Sequence, residues 1–148
     1  MCFLHRGRQV LLLHRRRPPN AGMWNGIGGK MEAGEDPYAA CIREVREETG
    51  LTVAAPVLRA LLVITVRATG ALWIIYAFAA PAPDGAHVPS AEGDLEWVDA
   101  DQVLSLPTPA DLPVILPRIL NGTGVSVVRL AYAAENAVDP LTIEILGS

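Results

Sequence analysis

Within the stretch "IREVREETGL", Glu44, Glu47 and Glu48 stand at spacings of three and four residues. On a helix those spacings put three carboxylates on one face. Like charges so placed repel each other by about 0.2–0.5 kcal/mol per pair when exposed. Two fates are open to such a face. It is either a solvated acidic surface eased by Arg43 and Arg46, or a cluster whose charge a divalent cation neutralises. A ligand set made only of oxygen would select a hard ion, Mg²⁺ or Mn²⁺, rather than zinc. The helix alone does not choose between the two.

Just upstream lies "WNGIGGKMEAGED", with four glycines and three acidic residues in thirteen positions. Glycine loses the most conformational freedom on folding, so a cluster of it marks a tight turn or a close backbone approach. Arg15, Arg16 and Arg17 precede this loop. In strand alternation Arg15 and Arg17 would share a face able to meet phosphate, with Arg16 turned away. A solvated basic edge that discourages strand pairing is the equal alternative.

The flanking pattern says which elements must hold these groups. "MCFLH" and "QVLLLHR" read as strands joined at "RGR", and "PVLRALLVITVR" and "ALWIIYAFAA" as an antiparallel pair turning at "ATG". "DPYAACIREVREETG" is a helix punctuated at both ends, with Asp36 at the N-cap, Pro37 at the first position and Gly50 past the last. "PAPDGAHVPSAEGD" is a long polar loop of the kind that carries function. "LEWV" is a short strand, "DADQVLSLP" and "DLPVILPRIL" are helical pieces, and "VSVVRLAYAA" and "LTIEIL" are closing strands. The result is a mixed α/β fold of six or seven strands and two or three helices, in one domain over residues 1–148.

Composition narrows the function. A chain that is 51% hydrophobic and 19% charged is not disordered, and its net charge of −4 argues against a general nucleic-acid binder. No apolar run reaches the roughly 18 residues a membrane span needs, and the basic residues among the first seventeen break any signal-peptide pattern. Cys2 and Cys41 read as two reduced thiols. These features predict a soluble cytoplasmic protein.

From Gly29 the loop and the helix join into one pattern: a glycine, five residues, Glu35, seven residues, Arg43-Glu44, an aliphatic residue, one residue, Glu47-Glu48, one residue, Gly50, and aliphatic Leu51. At average residue frequencies this would arise by chance in such a chain with a probability on the order of 10⁻⁸ to 10⁻⁷. The sequence resembles the Nudix hydrolases, which cleave a nucleoside diphosphate linked to another moiety. The resemblance implies the Nudix fold, a mixed central sheet sandwiched between helices, and dependence on Mg²⁺ or Mn²⁺. It implies metal ligation by Glu44, Glu47 and Glu48 together with the carbonyl of Gly28, and a glutamate oriented by Arg43 through a bidentate pair. "WNGIGGK" further resembles the MutT-type branch that hydrolyses oxidised purine nucleoside triphosphates such as 8-oxo-dGTP to the monophosphate and pyrophosphate. There Asn25 would contact the base, and its plainer role is that of a turn residue bonded to its own backbone.

Beyond the box the similarity loosens. Glu92, a few residues before Trp97, matches a position that binds metal or serves the attacking water, and is otherwise an ordinary loop carboxylate. In "PTPADLPVILPRIL" the positions of a base-stacking tryptophan and two adjacent aspartates read Thr108, Ala110 and Asp111, so only one aspartate is kept. Trp73 could supply an aromatic platform from the neighbouring strand, or pack in the core or on the sheet face. A dinucleoside polyphosphate, ADP-ribose or nucleotide-sugar pyrophosphatase is the enzymatic rival. A non-catalytic nucleotide-binding module is the rival of another class, and the intact glutamate set weighs against it.

Overall fold

The computed structural model describes residues 1–147. Eight strands and two α-helices are present: β1 (Cys2–Arg6), β2 (Gln9–Arg15), β3 (Trp24–Asn25), α1 (Pro37–Thr49), β4 (Val57–Val66), β5 (Ala71–Pro81), β6 (Gly93–Asp99), α2 (Leu112–Asn121), β7 (Ser126–Tyr132) and β8 (Thr142–Gly147). The strands form one mixed sheet in the order β3-β2-β1-β5-β4-β7-β8, with β6 paired to β2 along that strand's full length. β1 runs parallel to β5 and β4 parallel to β7, while the remaining pairs are antiparallel.

Strand alternation explains why the strands read as nearly continuous apolar runs. Along β1, β2 and the second half of β5 both faces of the sheet are covered, so successive side chains enter different cores. On one face Cys2, Leu4, Leu11, Leu13, Phe78 and Ala80 pack with Cys41 and Val45 of α1. On the other Phe3, Val10, Leu12, Ala60, Leu62 and Ala77 pack with Leu112, Ile115, Leu116 and Ile119 of α2. A mixed sheet sandwiched between helices is thus the architecture. No helix is long and apolar enough to cross a membrane among the described residues.

Helix α1 begins and ends as its sequence dictates. Asp36 accepts a hydrogen bond from the Ala39 amide at 2.9 Å, a cap worth about 1 kcal/mol. At the other end Gly50 takes φ 75°, a left-handed turn that costs a glycine little.

Three expectations need correction. The segment "DADQVLSLP" gives only a 3₁₀ turn over Val103–Ser105. The two-residue β3 adds a strand inside what the glycines suggested was all loop, because Leu13 and His14 of β2 reach across to pair with Asn25 and Trp24. Finally, β2 stops at Arg15, so Arg17 lies in a bend, exposed, and shares no strand face with Arg15. Pro18 and Pro19 follow immediately and have no amide hydrogen with which to continue the ladder.

Candidate active site

The glycine loop reaches the sheet before it reaches the helix. Cys2 and Ile27 exchange backbone hydrogen bonds of 2.5 and 2.9 Å, which anchors the loop to the edge of β1. The next two glycines are there for close approach. A Cβ on Gly28 would fall 2.8 Å from Met1 Cα, and one on Gly29 would fall 2.5 Å from Cδ of Glu44. The carboxylate of Glu44 therefore lies directly against the loop backbone, and only glycine leaves it room.

Arg43 organises this corner. Its Nε and Nη2 donate to the two oxygens of Glu35 at 2.5 and 3.0 Å, the bidentate pairing that a guanidinium fork allows. Nη1 donates to Glu44 at 2.8 Å and to Glu47 at 3.2 Å, and Nη2 also donates to the Lys30 carbonyl at 3.1 Å. The Arg43 fork, joined by the Glu32 amide at 2.8 Å, holds Glu35 at a pKa of about 2. Glu35 is thus tied to the arginine and turned away from ligand duty, while Glu44 and Glu47 take single contacts that leave oxygens free.

Glu48 sits on the other side of the same helix face. It accepts a hydrogen bond from the hydroxyl of Ser90, in the loop before β6. Burial first, then the neighbouring carboxylates Glu92 and Glu44, push the Glu48 carboxyl above its ordinary range, against the pull of Ser90 and Arg15. Glu92 itself lies 3.8 Å from Arg15 and is within electrostatic reach of Glu48. The structure therefore brings Glu44, Glu48, Glu92 and Arg15 to one corner, with Glu47 held beside Glu44 by Arg43. Arg16, expected to point away, pairs with Asp94.

Among the described residues no three acidic, histidine or cysteine side chains converge closely enough to enclose an ion. Arg43 holds one oxygen of Glu44 and Ser90 holds one oxygen of Glu48, which leaves the second oxygen of each open. The donor chemistry nonetheless fits a hard divalent cation. Glu44 and Glu92 both lie within electrostatic reach of Glu48, whose charged form is disfavoured, and Arg43 gives two of its three nitrogens to Glu35.

The remaining candidates lie beyond the loop. Asn25 accepts from the Gly26 amide at 2.8 Å, so its side-chain oxygen does serve a local turn, and its NH₂ group is left to donate. The Trp24 amide donates to the Pro107 carbonyl at 2.8 Å, which straps the segment leading to α2 over β3. Asp111 follows at the start of α2, buried, with its carboxyl pushed above the ordinary range by that burial. Tyr132 has its hydroxyl pushed up to about 12 by burial and then by the charges of Asp111 and Asp139. Trp73 does not pack in the core. It is 47% exposed, with the Lys30 ammonium 5.3 Å from its ring centre. Arg17 is not brought to the site.

Three participants escaped sequence reasoning. Trp24 stacks on His14 with ring centres 4.5 Å apart, a cross-strand pair that required knowing β3. Tyr132 arrives from the far side of the sheet and has no local signature. Ser90 did leave one, since a serine two residues before Glu92 is the spacing at which a hydroxyl accepts from the backbone amide, here at 3.1 Å.

With this geometry in hand, comparison with known proteins gives a consistent result. The NUDIX domain model matches residues 1–119. The chain is 33% identical over 138 residues to the uncharacterized Nudix hydrolase YvcI of Bacillus subtilis, covering 90% of this chain and 85% of that one. It is 35% identical over 109 residues to the 8-oxo-dGDP phosphatase NUDT18 of Mus musculus, covering 72% of this chain and 32% of that protein. The crystal structure of the MutT protein from Bacillus halodurans superposes with a TM-score of 0.86 at 32% identity, over 98% of this chain and 94% of that one.

Proposed function

The chain belongs to the Nudix family and is a Nudix hydrolase, and from that premise we propose that it hydrolyses a purine nucleoside triphosphate, ordinary or oxidised, to the monophosphate and pyrophosphate. The observation that carries the proposal is the joining of two groups by a short tether. Asn25, with a free amide donor, lies three residues before Gly28, where the carboxylate corner begins. A base held at Asn25 and Asp111 then limits how far the phosphates extend toward Glu44, Glu48 and Glu92, and so favours one scissile bond.

In this reading Glu44, Glu47, Glu48 and Glu92, with the Gly28 carbonyl, hold Mg²⁺ or Mn²⁺. When bound, such an ion supplies charge neutralisation on the phosphate oxygens and a more acidic water. The rest falls to the chain. Arg43 fixes Glu44 and Glu47 through its fork on Glu35, leaving those carboxylates pre-oriented. One of the helix glutamates, by preference over Glu92, positions the attacking water and takes its proton. Attack at the β-phosphorus breaks its bond to the α–β bridging oxygen, which departs with the monophosphate. Arg15, beside Glu92, and Lys30, over the Trp73 ring, are the cations this reading assigns to phosphate, with Trp73 offering an aromatic surface to the nucleotide. With its single aspartate, the base pocket should discriminate the oxidised purine less sharply than a carboxylate pair would. The free Cys2 and Cys41 are in keeping with action in the cytoplasm.

A nucleoside diphosphate is the second reading, favoured by the likeness to a protein named as an 8-oxo-dGDP phosphatase. The test is a parallel screen of ordinary and oxidised purine nucleoside di- and triphosphates, ADP-ribose and dinucleoside polyphosphates by kcat/KM. A purine triphosphate should lead. A lead of tenfold or so for a dinucleotide or ADP-ribose would place the enzyme elsewhere in the family.

A further inference from the structure

Ser90 occupies a position that the metal reading above leaves without a role. It is 7% exposed, and every hydrogen-bonding capacity it shows is directed at the site. Its hydroxyl proton goes to Glu48 of α1, and its oxygen accepts the backbone amide of Glu92 at 3.1 Å. The surrounding loop is pinned on both sides. The Val88 amide donates to the Thr49 carbonyl at 2.9 Å at the end of α1, and the Arg16 amide donates to the Glu92 carbonyl at 3.1 Å beside β2. Ser90 and Gly93 also bridge across a tight turn with Glu92 near its tip. Ser90 therefore links the Glu48 carboxylate of the helix to the backbone of Glu92 in the loop through direct hydrogen bonds.

We propose that Ser90 is a positioning residue, which locks the Glu48 side chain while fixing the turn that presents Glu92, and so makes the two carboxylates parts of one divalent-cation ligand set. This rests on the metal reading given above. A glutamate on a helix samples several rotamers, and a hydroxyl donor on one oxygen selects among them while leaving the other oxygen to a cation. Partners of metal ligands commonly shift metal affinity by 10–100-fold when removed.

The experiment is direct Mn²⁺ titration of the nucleotide-free protein, following unbound Mn²⁺ by electron paramagnetic resonance, with the metal-free melting temperature measured alongside. Ser90→Ala should weaken Mn²⁺ binding about tenfold or more, and Ser90→Thr, which keeps the hydroxyl, should recover most of it. Ser105→Ala, on the distant 3₁₀ turn, should bind as wild type does. If Ser90→Ala binds Mn²⁺ as tightly as wild type, the positioning role is overturned while the metal reading stands, whatever happens to the melting temperature. A loss that Ser90→Thr fails to recover would assign the effect to packing and overturn the role as well. Failure of the wild-type protein to bind Mn²⁺ would overturn the metal reading and this inference together.

Discussion

Arg43 and Asp111 represent two halves of the site that are built in different ways. Around Arg43 the groups come from one contiguous stretch, Lys30 to Glu48, and they are tied to each other by charge-assisted hydrogen bonds on every donor nitrogen of the guanidinium. Around Asp111 the groups come from β3, the start of α2 and the end of β7, and they meet through packing and burial with few direct bonds. The first half is rigid because its chemistry demands fixed carboxylates. The second is loosely specified, which is where members of one family can differ in the base they accept.

That contrast can be broken or sharpened by experiment. The largest effect should come from the carboxylate half. Glu48→Gln or Glu47→Gln should lower kcat for the preferred nucleotide about a thousandfold or more, since each removes a charge from the reacting corner. The melting temperature of Glu48→Gln should be unchanged or higher, because burial and Glu92 already work against the charged form. A retained kcat would mean the helix face is not the seat of chemistry.

A middle-sized effect belongs to the other half. Asp111→Asn keeps the shape of the side chain and removes its ionisation. It should raise KM for a purine triphosphate about tenfold while changing kcat little, as expected of a contact made equally in ground and transition states. A fall in kcat with KM unchanged would move Asp111 from base binding to the reaction itself.

The smallest effect is on pH-dependent stability. Glu35 has its folded pKa depressed from 4.5 to about 2 by Arg43, so its stabilising contribution is present above pH 4.5 and disappears as pH falls toward 2. The melting temperature of Glu35→Gln should therefore lie below that of wild type at neutral pH, and the two should converge between pH 4.5 and 2. A gap that persists unchanged at pH 2 would show that the Arg43–Glu35 fork is not its source.

The two halves also differ in how far they could be read from the chain. The Arg43 side of the carboxylate corner was legible because its members sit within one loop and one helix, where spacing fixes geometry. Gly29, Glu35, Arg43 and Glu44 meet in space for the same reason that they match a pattern in sequence. Trp73 was ambiguous because a tryptophan in an apolar strand fits either a core or an open strand end. Only the sheet register, which pairs it with Ile64 near the turn, shows that it is half exposed. Arg17 was misread because strand alternation holds only while the strand lasts, and two prolines end it. Ser90 depends on a contact with Glu48, 42 positions away in sequence, and Tyr132 on the distant Asp111, and local pattern carries little information about either.

The central claim, that a divalent ion on the box helix directs water to the β-phosphorus of a purine triphosphate, is tested most directly by isotope placement. The reaction is run in ¹⁸O-labelled water with Mg²⁺, and again with excess chelator, and the products are resolved by mass spectrometry. The expected result is one ¹⁸O atom in pyrophosphate, none in the monophosphate, and no turnover in chelator. Label in the monophosphate, orthophosphate as the main product, or equal turnover in chelator would contradict the account.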